Sequence, residues 1–367
     1  MEAVAFSAWA AEHSTRRQSE REERLVIQAT AKRASLVVSL CLVSIAASCS
    51  YTQAGGLPDG RSRSAGRPGS PSGLPSSPSF AVTGGVMAFS SDLGGNIDIW
   101  SIRTDGRDLR RLTDSSGADQ SPAWSPDGRR IAYRSDRDAN DEVYVMDADG
   151  SHQRNLTRNT HSDYSPAWSP NGRWIAFASD RDTGAGGYAN DIWLVRPDGT
   201  GAHRITHQVG IDEYPVWSPD STRVGFNCSG GRILPQGVAD FEVCVVDAIG
   251  GPVRRLTDGA GSSSVGAWAP DGTILFTSSR QDRPFSVSSS GDIFAMREDG
   301  SAVRQLTSGP ALDTDPTWSP DWTVILFASD RGNADGSTDL WVMHPDGTGV
   351  VRLWGRPGEE QEPAWHR

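Results

Sequence analysis

Three observations in the sequence predict an all-β fold of six four-stranded antiparallel blades closed into a ring, the β-propeller architecture. Trp124, Trp168, Trp217, Trp268, Trp318 and Trp365 recur at spacings of 44, 49, 51, 50 and 47 residues, a period that belongs to propeller blades. Each repeat holds four short apolar runs with period-2 alternation, bounded by Pro-Asp-Gly and Asp-Gly turn signals, and none is long enough or spaced correctly for a helix. The first repeat lacks its opening run, and the C-terminal residues supply one with nothing after it.

The unit is clearest at residues 119 to 157. Strand a ends at Pro122-Ala123-Trp124-Ser125 and turns through Pro126-Asp127-Gly128 into strand b, Arg130 to Arg134. Strand c runs from Glu142 to Asp147, and Asp149-Gly150 turns it into strand d, Gln153 to Thr157. A four-stranded meander leaves two faces to bury and two edges unpaired, so one copy needs neighbours to stack on. In the first repeat, Val86 to Ser90 reads as strand b, Asn96 to Trp100 as strand c and Leu109 to Thr113 as strand d. Its strand a is Glu362 to His366. Five whole repeats and one split repeat make six blades, and the split pins the two ends of the ring together.

Ahead of the ring, residues 1–48 read as a signal region: Lys32-Arg33 precedes the apolar run ASLVVSLCLVSIAAS, too short to span a bilayer and ending in small residues. Residues 49–79 are mostly Gly, Pro, Ser and Arg and read as a disordered tether with a mean span of roughly 30 Å. Residues 80–367 form the propeller. Acidic residues outnumber basic ones, 46 to 35, which disfavours a nucleic-acid partner, since phosphate binding needs net positive charge.

Two stretches resemble known families. Ala46-Ala47-Ser48-Cys49 resembles the lipobox of bacterial lipoproteins, which implies a diacylglycerol on the Cys49 thiol, cleavage ahead of it and a membrane anchor. The Leu usual at the first lipobox position is absent, so ordinary cleavage to a non-lipidated secreted protein stays open. The repeat D-x-x-P-x-W-S-P-D-G, I-A-F-x-S-D-R, D-I-W-V-M-x-x-D-G, R-x-L-T resembles the WD40-like repeat of the TolB propeller family over about residues 80–367. The resemblance implies a six-bladed ring, an exported location on the periplasmic or extracytoplasmic face of a bacterial membrane, and protein partners. TolB's small α/β domain has no counterpart here, so its role in the Tol-Pal envelope system carries over weakly.

The two ends of such a ring differ. The a–b and c–d turns share one end, and their repeated Pro-Asp-Gly and Asp-Gly residues are explained by tight turns alone. The b–c and d–a connections share the other end and vary in length, which makes that end the expected face for a protein or peptide partner of a monomeric, non-catalytic ring. It also carries an acidic residue five positions before most of the tryptophans: Asp119, Asp163, Asp212, Asp313 and Glu360, with Ser263 as the exception. On innermost strands these carboxylates would crowd the mouth of the central channel, where they could hold a hydrated cation or a partner's Arg or Lys. The alternative is that each caps its own d–a turn. The Asp136-Arg137, Asp180-Arg181 and Asp330-Arg331 pairs read as blade-to-blade salt bridges.

The remaining signals are weaker. Asp136, Asp138, Asn140 and Asp141 partly resemble a calcium loop but lack its Gly and its terminal Glu. Cys228 and Cys244 fall near each other across one hairpin, as a disulfide or as two buried thiols. No G-x-S-x-G, H-E-x-x-H, C-x-x-C or phosphate loop occurs, and the histidines form no cluster. No cofactor is expected. The competing reading is a carbohydrate- or cation-binding ring, or a polysaccharide-active enzyme, working at an acidic channel mouth.

Overall fold

The computed structural model describes residues 85–181, 189–231, 240–258, 261–279, 291–333, 336–355 and 360–366. The signal region, Cys49 and the tether lie outside the described residues. Within them, twenty-four strands form six separate four-stranded antiparallel sheets, with no helix. Blade 2 is β4 (Asp119–Trp124), β5 (Arg130–Ser135), β6 (Glu142–Asp147) and β7 (Arg154–Asn155); blade 3 is β8 (Asp163–Trp168), β9 (Ile175–Ser179), β10 (Asp191–Val195) and β11 (His203–Arg204). Blade 4 is β12 (Asp212–Trp217), β13 (Arg223–Cys228), β14 (Glu242–Asp247) and β15 (Arg254–Arg255). Blade 5 is β16 (Ser263–Trp268), β17 (Thr273–Ser278), β18 (Asp292–Arg297) and β19 (Arg304–Gln305); blade 6 is β20 (Asp313–Trp318), β21 (Ile325–Ser329), β22 (Asp339–Met343) and β23 (Val351–Trp354).

Blade 1 is the split one. β24 (Glu360–His366) pairs antiparallel with β1 (Val86–Ser91), which continues to β2 (Asp98–Arg103) and β3 (Arg110–Arg111). Met87 faces Trp365 and Ala88 faces Ala364 in that register. The closing strand thus covers the edge that β1 would otherwise present to water.

Strands b and c are sandwiched between neighbouring blades, which is why they read as short, nearly continuous apolar runs. Ile175-Ala-Phe-Ala-Ser and Ile325-Leu-Phe-Ala-Ser are buried along their whole length. The core is divided into six apolar clusters, one at each contact between successive blades, and the cluster joining Met87 and Phe89 to Leu326 and Val342 closes the circle between blades 6 and 1. The repeated tryptophan at the end of strand a belongs to these contacts. Arg130 of blade 2 lies over the Trp168 ring of blade 3 at 5.0 Å, and Arg223 of blade 4 over Trp268 of blade 5 at 4.9 Å.

The Ser-Pro-Asp-Gly turn is self-contained. Ser125 Oγ donates to Asp127 Oδ1 (2.6 Å) and accepts from Arg130 N (2.9 Å), while Gly128 takes φ 67°. Ser218 and Asp220 repeat the contact at 2.6 Å, and Ser319 and Asp321 at 2.7 Å. The serine hydroxyl holds the Asp carboxyl of each turn below the usual carboxylate range, at Asp220 to about 2.

Candidate functional site

At the end bearing the b–c and d–a connections, the structure buries all five acidic residues singled out above. Asp119, Asp163, Asp212, Asp313 and Glu360 are each at most 1% exposed, turned into their own blades and away from the channel opening. Antiparallel pairing explains this. Each begins strand a, and where the ladder pairs it, its partner is the last residue of strand b: Ser135, Ser179, Cys228, Ser329 and, for Glu360, Ser91.

The Arg of the Ser-Asp-Arg motif then closes over the carboxylate of the same blade. Arg137 Nη2 lies 3.0 Å from both Asp119 oxygens, its Nε donates to Ser135 Oγ (2.8 Å), and its guanidinium sits over Tyr144 (4.6 Å) and Tyr133 (5.7 Å). Arg181 repeats this on Asp163 with Phe177 and Trp193, and Arg331 on Asp313 with Phe327 and Trp341. These ion pairs therefore act within blades, which corrects the blade-to-blade expectation: the partner lies eighteen residues back in the same sheet. The adjacent Asp has a separate task. Asp136, Asp180 and Asp330 accept the backbone N–H of Ala118, Ser162 and Leu312 at 2.7–2.9 Å, fixing the entry to strand a.

Blade 4 breaks the pattern. Gly230 stands where blades 2, 3, 5 and 6 have Arg and blade 1 has Leu93, and Cys228 and Cys244 replace the serine and the second aromatic. They are joined by a disulfide across β13 and β14, with Cα atoms 5.8 Å apart. Asp212 keeps only neutral partners, Gln208 Nε2 (2.8 Å) and the Thr206 hydroxyl, and among the described residues its Oδ2 meets no donor. Burial pushes its carboxyl up to about 7.

A second ring of carboxylates escaped sequence reasoning. Asp98, Glu142, Asp191, Glu242, Asp292 and Asp339 open strand c in every blade and are buried. In five blades the Thr of the Leu-Thr motif serves the same place: Thr113, Thr157, Thr206, Thr257 and Thr307 accept the next N–H of strand c at 2.9–3.1 Å and donate to the carboxylate. The signal was present as the recurrence of D-I-W and L-T, which reads as repeat consensus until the two ends are seen to meet.

The axis is lined instead by the next residues of strand a. A bulge there puts Ser121, Ser165, Tyr214, Asp315 and Glu362 at φ 50–54°. Glu362 accepts from Ser121 N (2.7 Å), Ser121 Oγ (2.8 Å) and Ser90 Oγ (2.9 Å). Glu213 accepts from the Tyr164 hydroxyl (3.3 Å). Burial raises Glu213 to about 7, and burial with the nearby Glu362 charge raises Asp315 to about 7. Arg134, bonded to Asp141 (2.7 Å) and Gln120 (2.9 Å), feels the charge of Glu362 and acts on Tyr214 of this group.

On the rim of blade 2, a cavity of about 540 Å³ is walled by polar side chains, among them Asp138, Asn155, Arg158 and Asn159. In the calcium-like run, Asp136, Asp138 and Asp141 are turned to different partners: Ala118 N, the Tyr144 hydroxyl with Asn155, and Arg134. Among the described residues no three His, Cys, Asp or Glu side chains are grouped to hold a metal.

Residues 61–183 match the family model described as TolB beta propeller domain. No curated protein matches the chain. Among solved structures, the ring is similar to TolB from Acinetobacter baumannii, at 24% identity and TM-score 0.63, covering 77% of this chain and 66% of that one. A candidate TolB from Agrobacterium tumefaciens is similar at 22% identity and TM-score 0.59, covering 76% and 91%. Hydrazine synthase from Kuenenia stuttgartiensis is similar at 15% identity and TM-score 0.62, covering 77% and 46%. What the chain shares with these structures is the fold, a six-bladed β-propeller.

Proposed function

We propose that this chain is an exported, membrane-anchored, non-catalytic propeller of the cell envelope that binds a protein or peptide at its b–c/d–a end. The observation that carries the reading is the contrast between the two ends. At the a–b/c–d end nearly every blade repeats the same self-satisfied turn, which gives a partner little to distinguish. The opposite end differs from blade to blade and holds the blade 2 cavity, the axial group of Glu213, Asp315 and Glu362, and Val209, which is 81% exposed. A non-catalytic role is supported by how the carboxylates are used: Asp119, Asp163 and Asp313 are held by arginines and the strand c ring largely by threonines. The Cys49 lipid and the tether would hold the ring at a membrane as a monomer, since β24 covers the edge that β1 would otherwise offer to a second copy.

A photo-crosslinking residue in place of Val209, and separately in place of Asp271 at the other end, tests the reading in envelope extract. Capture of one partner from position 209 and none from 271 is expected. Capture from 271 alone would reverse the working face. A second reading, a polar small ligand such as a carbohydrate, is favoured by the residues that line the blade 2 cavity, which mix carboxylate, amide and guanidinium groups with the apolar stems that carry them. It predicts that Arg158→Ala weakens saccharide binding without altering the crosslinked partner.

A further inference from the structure

The a–b/c–d end repeats one turn chemistry with three departures, of which two, Ile249 and Trp322, are large and apolar. In blades 1, 2, 3, 5 and 6 the c–d turn carries an Asp (Asp105, Asp149, Asp198, Asp299, Asp346) whose Oδ1 accepts the backbone N–H two residues on, at 2.9–3.1 Å. Blade 4 has Ile249 in that place, which forgoes the bond and leaves the side chain 94% exposed. In the a–b turns the left-handed position belongs to Gly128, Gly172 and Gly272, at φ 67–84°, and in blade 4 to the small Ser221 at φ 61°. Blade 6 puts Trp322 there at φ 62°, 42% exposed, with its ring 6.3 Å from that of Trp318. A bulky residue in that region is strained, and such outliers persist where they serve a purpose.

Ile249 and Trp322 each place a large apolar group in water, and they share one side of the ring. Val303 of blade 5, 41% exposed, lies between them, and Arg254, just past the Ile249 turn, donates to the Glu298 carbonyl of the next blade's turn (2.7 Å). Blades 4, 5 and 6 therefore carry an apolar arc at this end. Among the described residues, the one other large hydrophobic side chain of this kind is Val209, at the opposite end.

The point where the polypeptide enters the ring indicates what the arc meets. Strand b of blade 1 starts at the a–b/c–d end: Val86 faces Arg103 and His366, and Thr104 N donates to Gly85 O (3.1 Å). Everything N-terminal to Gly85 is thus joined to the ring at the same end as the arc. We propose that Ile249, Val303 and Trp322 rest on the surface of the phospholipid bilayer, so that the b–c/d–a end faces away from it; this rests on the anchored reading above. Tryptophan suits the headgroup region, where its ring is apolar and its N–H stays wet. The turn carboxylates Asp220, Asp271 and Asp321 would be repelled by anionic lipid, which makes a zwitterionic surface the matching partner.

The test is hydrogen exchange of the full chain with and without phosphatidylcholine vesicles, alongside its co-sedimentation with them. Peptides spanning residues 247–251 and 320–323 are expected to exchange roughly tenfold more slowly on vesicles, with the blade 2 loop at 136–141 unchanged. The double variant Ile249→Asp, Trp322→Gly installs the residues other blades use at these places, so it keeps the fold. It should stay vesicle-bound through its N-terminal segment yet lose that protection. A bound chain without protection at the arc overturns the inference and leaves the anchor standing. A chain that does not sediment with vesicles overturns both. Protection that appears without vesicles as protein concentration rises assigns the arc to a second copy instead.

Discussion

Asp212→Asn should stabilise this protein, and do so more as pH rises. The wild-type carboxyl is buried, has only the neutral donors Gln208 and Thr206, and lacks the arginine that serves Asp119, Asp163 and Asp313. Burial lifts it from 3.8 to about 7, with Asp191 adding repulsion and Arg204 opposing it. A carboxyl whose folded value lies above its unfolded one contributes stability that is complete below the unfolded value and lost as pH climbs through the folded one. With values of about 3.8 and 7, ionisation costs the fold roughly 2 kcal/mol at pH 5 and roughly 4 kcal/mol at pH 8. Asparagine carries no such cost, so the variant should gain about 2 to 3 kcal/mol on the wild type between those pH values, a relative rise in Tm of roughly 5–10 °C. Asp315 is also raised to about 7 but is present in both proteins and cancels, whereas Glu213 is raised by burial and in part by the Asp212 charge, so removing that charge lowers it and adds to the gain at high pH. Urea unfolding at pH 5, 6, 7 and 8 reads the difference directly. A gap between the two proteins that stays constant across pH would mean that Asp212 is already compensated, and the account of blade 4 would fail.

Three other perturbations probe the same construction. Arg181→Ala leaves Asp163 buried without its cation and should cost about 3 to 5 kcal/mol in urea unfolding; a loss under 1 kcal/mol would show that Ser179 and Asn159 suffice. The double variant Cys228→Ala, Cys244→Ala opens a loop with a sequence separation of 16 and should lose about 3 kcal/mol, with no loss expected if the hairpin holds blade 4 unaided. Deleting residues 360–366 removes β24 and bares the edge of β1, so cooperative melting should give way to aggregation; a sharp, unchanged transition would show that the ring does not depend on its closing strand.

The ring was legible because its signals are local and repeated. A tryptophan every forty-four to fifty-one residues, turn residues at fixed offsets and one split repeat determine strand number, blade number and closure without any knowledge of side-chain contacts. The site was less legible, since position along a strand does not say which way a carboxylate turns. Asp119 and Ser121 are two residues apart at the same end of the ring. The first is sealed within its blade by Arg137, and the second, past a bulge, meets Glu362 of blade 1 beside the axis. Period-2 alternation alone would have placed both on one face. The left-handed residue itself varies, being Ser, Ser, Tyr, Asp and Glu, and its signature is the proline that follows each of them, Pro122, Pro166, Pro215, Pro316 and Pro363; blade 5 has Gly266 there and no left-handed residue before it.

The same comparison of blades separates structural from functional residues in the absence of any ligand. Where a position keeps its residue type and its bond in blade after blade, as the Ser-Asp turns and the strand c carboxylates do, the fold accounts for it. Where one blade departs and pays locally for the departure, the fold gives no reason. Gly230 leaves Asp212 without its cation, Ile249 gives up a turn hydrogen bond, and Trp322 accepts a left-handed backbone. Two of these lie in blade 4 and the third two blades on. Blades 2 and 3 keep the arginine clamp, the Asp of the c–d turn and the turn glycine. Blade 1 departs too, with Leu93 in place of the arginine and Glu360 in place of the Asp, so blades 2 and 3 are the regular part of the ring, and variants at the departures, more than at the repeated carboxylates, should separate binding from folding.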